Sequence, residues 1–158
     1  MNNLYVMIGC PGSGKSTYVK NMIKNNPSII WISRDEIRFS LVNENEPYFS
    51  KEKEVFEDFT YKIDDYLEGN YDVVADATHL NPKSRAKLFN ALDIDKTKTR
   101  IIGIVMRTPL DECLRRNELR KGTRGYVPVD AVRRMFESFE EPTFEEYNNI
   151  FDEIRYIK

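Results

Sequence analysis

The sequence predicts an α/β fold: a parallel sheet of four or five strands with helices on both faces. Three observations predict it. Short apolar runs rich in β-branched residues alternate with amphipathic segments along the chain. Helix boundaries fall between the runs, with Asn81-Pro82 and Thr108-Pro109 reading as caps followed by a first-turn proline. Polar residues follow the first three runs directly, at the strand ends where such sheets bind ligands.

Taken in order, Leu4–Gly9 (LYVMIG) reads as a buried strand that runs into a glycine loop and a helix over about Lys15–Lys24. Ser28–Ser33 (SIIWIS) reads as the second strand, followed by a helix over Asp35–Val42. A long helix over Lys51–Glu68 ends at Gly69-Asn70. Its aromatics Phe56, Phe59, Tyr61 and Tyr66 fit a core face best, with a base-stacking surface or a subunit contact as alternatives. Tyr71–Asp76 reads as the third strand and Pro82–Leu92 as the helix behind it. Arg100–Met106 is the fourth strand, followed by helices over Pro109–Lys121 and Val129–Phe139. Ile154–Lys158 is a candidate fifth strand. With no repeat, low-complexity tract or long linker, residues 1–158 read as a single domain.

Composition limits the function classes. The 158 residues suffice for one core, and 41% apolar with 32% charged residues is ordinary for a soluble globular protein. No apolar run approaches the roughly 18–20 residues of a membrane span, so no membrane partner is expected. The first strand starts almost at once, without a charged leader, which argues against secretion. Cys10 and Cys113 form no metal-type or redox-type pair and read as reduced thiols. A cytoplasmic protein is expected, in the host cytoplasm if phage-encoded, and a homo-oligomer stays open. The net charge of −2 is unevenly spread. Arg115–Arg134 holds seven basic and two acidic residues, whereas Glu137–Glu153 holds seven acidic residues and no basic one. These are either an anion-concentrating patch beside an acidic one or two solvated faces of opposite sign.

Gly9-Cys10-Pro11-Gly12-Ser13-Gly14-Lys15-Ser16 satisfies G-x-x-x-x-G-K-[ST] at every fixed position, between a strand and a helix. Glycines let backbone N–H groups turn toward phosphate oxygens, and the helix adds its positive end. Lys15 supplies a mobile ammonium for the outer phosphates, and the Ser16 hydroxyl suits Mg²⁺. The fold class is therefore a P-loop NTPase-type sheet that binds a nucleoside triphosphate.

The segment Ser33–Arg38 (SRDEIR) follows the second strand at the same edge. Phosphoryl transfer needs positioning, charge neutralisation and a group to take the acceptor's proton. Asp35 fits that base. Arg38, three residues on, offers a planar fork for an acceptor phosphate, while Arg34 faces differently and serves packing, the acceptor or neither. The plainer reading makes Asp35 a helix cap. At the end of the third strand, Asp76, Thr78, His79 and Asn81 lie near the same edge, His79 either as an acceptor contact or as a hydrogen-bonded loop residue. Arg116 and Arg120 share one helix face before Gly122 and Gly125, the pattern of a helical arginine-bearing lid. Arg115 fits a solvated face. Asp93–Thr97 (DIDKT) matches a phosphatase pattern but sits between a helix and a strand, so it reads as a polar connection.

These motifs resemble the P-loop kinase domain of phage-type polynucleotide 5′-hydroxyl kinase. The shared elements are IGCPGSGKST, SRDEIR, T-x-L-N-P at Thr78–Pro82, and the lid segments RNELR and VPVDAVRRM. They run in the same order from Ile8 to Met135. The resemblance implies transfer of the γ-phosphate of ATP, with Mg²⁺, to a 5′-hydroxyl end of DNA or RNA. It implies that Lys15 and Ser16 are the phosphate and metal residues, that Arg38 clamps the acceptor's phosphate, and that Arg120, with Arg116 beside it, binds the ATP phosphates; by their place at the same edge, Gly9–Thr17 is expected to bind the nucleotide and Arg34, Asp76, Thr78 and Asn81 the acceptor. Lys15, Asp35 and Arg120 would be catalytic, with Asp35 as general base. The sequence departs from the pattern in the place of Asp76, one residue early, and in extra lid residues between Arg120 and Val127. The acidic stretch near the end has no counterpart, and the often appended 3′-phosphatase domain does not follow. A kinase of a small hydroxylated metabolite, drug or nucleoside keeps the same chemistry. A nucleotide-binding regulatory module is the non-enzyme alternative, against which the Asp35–Arg38 pair counts.

Overall fold

β1 (Asn2–Ile8) lies at the centre of a five-stranded parallel sheet in the computed structural model, which describes residues 1–158. Its partners are β2 (Ile30–Ser33), β3 (Val73–Asp76), β4 (Thr99–Met106) and β5 (Glu153–Ile157), in the order β2-β3-β1-β4-β5. The register sets Val6 beside Ala75 on one side and Gly103 on the other. The chain leaves β1 for β2, returns to fill the gap with β3, then crosses to β4. Its direction therefore reverses at β1, and the carboxyl end of β1 is the switch point where α/β sheets hold ligands.

The helices are α1 (Lys15–Asn25), α2 (Arg34–Leu41), α3 (Glu52–Glu68), α4 (Pro82–Ala91), α5 (Leu110–Glu118), α6 (Val129–Glu137) and α7 (Phe144–Asn149). The two-residue period of each strand divides the core. Leu4, Val6 and Ile8 face α2, α3 and α4 through Ile37, Phe59, Ile63 and Leu88. Met7, Val74, Ile102 and Ile104 face the other way, onto Val19 of α1. A third, small cluster of Val127, Ala131 and Val132 joins α5, α6 and Tyr48 away from the sheet. No helix is long and apolar enough to cross a membrane.

The parallel sheet, its five strands and the helices on both faces are as the sequence predicts, with three corrections. Thr108 does not cap α5. Pro109 holds that position, and the Thr108 hydroxyl donates to the Ser13 carbonyl at 2.7 Å. Asn81 does cap α4, in a reciprocal pair with Ser84. Of the α3 aromatics only Phe59 is core; Phe56 is half-buried, and Tyr61 and Tyr66 are exposed. α7 was not expected, because its six residues carry three glutamate or tyrosine side chains and little apolar periodicity.

What draws α7 in is a charge. Arg85 of α4 is fully buried, and its fork meets Glu146 of α7 at 2.7 and 3.0 Å. The remaining donors reach the carbonyls of His79 at 2.8 Å and Glu140 at 3.0 Å. Every face of the guanidinium is thus hydrogen-bonded, the condition under which a buried charge is tolerated. Three more of the seven acids in this stretch are paired, Glu141 with Arg107, Asp152 with Lys96 and Glu153 with Arg100, while Glu137, Glu140 and Glu145 stay exposed without an ion pair.

His79 is a hydrogen-bonded loop residue. It adopts φ 45°, is buried, and donates from Nδ1 to the Met7 carbonyl at 2.7 Å. Burial pushes its pKa down to about 4, with the Met7 hydrogen bond opposing. The ring is therefore neutral at pH 7.

Two outcomes follow from these buried groups. Glu146→Ala leaves Arg85 charged and unpaired, and urea denaturation is expected to show a loss of about 3–5 kcal/mol. For His79, the unfolded chain binds more protons than the folded one between its ordinary pKa of 6.5 and about 4. The stability it allows is full above that window and declines as pH falls through it. His79→Asn keeps an N–H donor and tolerates positive φ. Between pH 7 and 4.5 the wild type should lose more stability than this variant; parallel losses would show that His79 does not titrate there.

Candidate active site

The β1–α1 junction builds the phosphate loop. Gly12 and Gly14 adopt φ of 80° and 99°, a region that favours glycine. A Cβ on Gly12 would lie 2.5 Å from the Cys113 carbonyl oxygen, so φ and packing both require glycine there. Gly14 caps α1 without any side-chain hydrogen bond, and no acid stands in the first turn. The first N–H groups of an eleven-residue helix are thus left to an anion. Ser13 is buried with its Oγ unpartnered. Lys15 Nζ donates to the Gly9 and Cys10 carbonyls at 2.9 Å each. Burial lowers the Lys15 pKa, while the charges of Asp76 and Asp35 oppose that shift. Burial of Cys10 pushes its thiol up to about 11, so it is a neutral packing group.

A cavity of about 250 Å³ opens over this loop. Gly12, Gly14, Lys15 and Ser16 form one wall, and Arg34, Asp35 and Arg38 form the other. A wider cleft between α1, β4 and α5 adjoins it, and the two share Gly14, Lys15's neighbour, and Arg120. Thr17 and Arg116 line this second cleft. Arg116 donates to the Gly12 carbonyl at 3.3 Å and to Glu112 at 2.9 Å. Arg120, half-buried two residues past α5, makes no ion pair.

The opposite wall answers how Asp35 is used. Ser33, not Asp35, caps α2, its hydroxyl accepting from Glu36 N at 3.3 Å. Asp35 is free of that duty and 61% of its side chain is exposed. One oxygen, Oδ1, accepts from Arg38 at 2.6 Å and from the Tyr48 hydroxyl at 3.2 Å. The second oxygen is not engaged by the protein. Arg38 is nearly buried, and its fork lies on Glu52 at 2.5 and 3.0 Å as well as on Asp35 and Tyr48. Of its five N–H donors, one is left for a ligand. Arg34 reaches Glu52 only at 3.8 Å, and its Nε is buried without a partner. Burial pushes the Tyr48 hydroxyl up to about 12, with the Asp35 charge adding to it, so it stays a donor.

Asp76 is buried at the end of β3 and accepts from Trp31 Nε1 at 2.9 Å. Burial raises its pKa, and Lys15 and the Trp31 hydrogen bond oppose. Ala77 and Thr78 also line the cavity, and the Thr78 carbonyl accepts from Gly9 N at 2.9 Å. Asn81 lies outside the cavity as the cap of α4, and His79 lies beneath the sheet edge.

The lid is pinned at both feet. Asn117, fully buried, donates to the Val127 carbonyl at 2.7 Å and accepts from its N–H at 3.0 Å. Arg124 donates to the Val42 carbonyl and stacks over Phe39, which docks the loop tip on α2. Arg115 pairs with Glu112 on the solvated face, as its spacing suggests.

Sequence reasoning missed Glu52, Tyr48, Phe49 and Asn117. Glu52 is an acid in the first turn of α3, which reads as a dipole partner. Asn117 carries a signal, as the polar residue of RNELR on an otherwise apolar helix face.

Residues 4–142 match a family model described as an AAA domain (AAA_33). Solved structures with a similar fold include a chain of the Pnkp1/Rnl/Hen1 RNA repair complex, at 20% identity and TM-score 0.69, covering 87% of this chain and 43% of that one. A fungal RNA kinase matches at 16% identity and TM-score 0.64, over 99% and 74% of the two chains. A gluconokinase from Sinorhizobium meliloti matches at 15% identity and TM-score 0.59, over 98% and 81%. The chain spans less than half the length of the first of these. Identities of this size show a shared P-loop kinase fold, and the match over residues 4–142 places the chain in the AAA_33 family of AAA domains.

Proposed function

We propose that this protein transfers the γ-phosphate of ATP to a 5′-hydroxyl end of DNA or RNA. The observation that carries the reading is the cavity with two unlike walls, a phosphate loop on one and an acid between two arginines on the other. In this reading the triphosphate lies along the loop, with its nucleoside in the cleft beside Thr17 and Arg116. The N–H groups of Gly12–Lys15, the Lys15 ammonium and Arg120 hold its charge. The acceptor hydroxyl enters from the Asp35 side and passes its proton to the open carboxylate oxygen. Its oxygen forms the new bond to phosphorus as the bond to the ADP oxygen breaks, in line. Asp35 is held by Arg38 and Tyr48, and Arg38 by Glu52, so the base is positioned before the acceptor arrives.

Ser16 and, beyond it, Asp76 offer the oxygen donors a hard divalent cation takes, so the residues fit Mg²⁺. When bound, Mg²⁺ would neutralise charge on the transferred phosphoryl group. The remaining Arg38 N–H and the part of Arg34 that stays exposed suit the acceptor's first phosphate. Tyr48 and Phe49, edge-to-face at 4.6 Å, give a base an aromatic wall. The small volume favours the second reading, a kinase of a small hydroxylated metabolite, and the gluconokinase shares the fold.

The test offers γ-labelled ATP to a 5′-hydroxyl oligonucleotide, a nucleoside and gluconate. Labelled oligonucleotide is expected; label on gluconate alone would overturn the proposal. Asp35→Ala should keep ATP affinity and lower turnover by about 10²–10⁴-fold, whereas an unchanged rate would remove Asp35 as the base. Glu52→Ala frees Arg38 without touching the nucleotide. Turnover should fall about a hundredfold through misplacement of Asp35, with ATP affinity retained.

A further inference from the structure

α3 and α4 leave a groove between them of about 880 Å³. Phe56 stands on one side, and Lys83, Ser84, Lys87 and Asn90 on the other. None of its lining residues is acidic, in a chain that holds 26 acidic residues among 158. From Ala77 to Leu92 the chain carries Lys83, Arg85 and Lys87 and no acid at all. Arg85 is consumed by Glu146, but Lys83 and Lys87 are exposed and make no ion pair. They stand four apart on α4, so both ammonium groups rise from one helix face about 5–6 Å apart at Cβ.

The groove joins the cavity through one ring. Phe56 is half-buried, with the Arg34 guanidinium 5.5 Å from its centroid and the Lys87 ammonium 4.7 Å from it. Arg34 lines the cavity that holds Asp35, and Lys87 lines the groove. A path thus runs from the proposed base, past Arg34, whose charge Glu52 partly offsets at 3.8 Å, and Phe56, to the unpaired Lys87 and Lys83. A strand that presents its 5′-hydroxyl to Asp35 must leave the cavity somewhere, and its phosphates are the complement of this path. A small metabolite has no use for it.

We propose that the α3–α4 groove carries the acceptor strand beyond its 5′ end. Lys83 and Lys87 pair with successive backbone phosphates, Asn90 hydrogen-bonds to the backbone, and Phe56 with Ala86 and Ala91 gives the bases an apolar floor. This rests on the polynucleotide reading of the site and adds a length preference to it.

The experiment compares wild type with Lys83→Ala/Lys87→Ala, two exposed positions outside the catalytic cavity. Acceptors are 5′-hydroxyl oligonucleotides of about two and about twelve nucleotides, a length within the range that single-strand grooves cover. With the longer acceptor the variant's KM should rise about tenfold, and the slope of log affinity against log salt should shrink by about 1.4, or 0.7 for each lost phosphate contact. With the dinucleotide and with ATP, the variant should match wild type. Equal effects on both acceptors, or none on the longer one, would overturn the groove and leave the kinase reading standing. A wild type that labels only a small polyol would overturn both.

Discussion

The contact between Gly12 and the backbone of Cys113 holds the site in its shape. The phosphate loop rests on α5 at Cys113 with no room for even a methyl group at Gly12. Arg116, from the same helix, closes on the Gly12 carbonyl. The loop at the end of β1 and the first lid helix therefore form one unit, to which the Thr108 hydroxyl adds a bond to Ser13. Helices on such sheets usually meet loops through side chains. Here two backbones touch, and the tolerance is correspondingly small.

The other wall relies on charge. Asp35, Arg38, Glu52 and Arg34 are two acids and two bases packed beneath an aromatic pair, with Arg38 lying 4.7 Å from the Tyr48 centroid. Removing one member of such a set leaves its neighbour buried and unpaired, which costs more than the pair itself contributes. The set spans two helices and the connection between them, so it fixes the angle at which α2 meets α3. The position of the proposed base is thereby governed by the same few side chains.

How much of this was legible depends on the separation of the interacting residues. The strands showed because each buries an unbroken apolar run, and the phosphate loop showed because eight consecutive residues make it. Asp35 and Arg38 are three apart, so their pairing could be read from helix geometry. Glu52 lies fourteen residues from Arg38, Asn117 ten from Val127, and Glu146 sixty-one from Arg85. Nothing local marks these as partners. α7 escaped for the same reason, since its one buried anchor is a glutamate whose reason for burial is on another helix. The Thr108 error was different in kind: the residue type suited a cap, but α5 begins one residue later, and the Thr108 hydroxyl donates to the Ser13 carbonyl instead.

The amide clasp between Asn117 and Val127 has an architectural consequence. It closes the segment from residue 118 to 126 into a ring whose base is fixed by a single side chain. Residues added or removed at the ring's tip, around Gly122, change its reach without displacing either foot. The helix bearing Arg116 lies outside the ring and Arg120 within it, so a change of length near Gly122 leaves Arg116 in place and acts on Arg120 and on the rim facing α2.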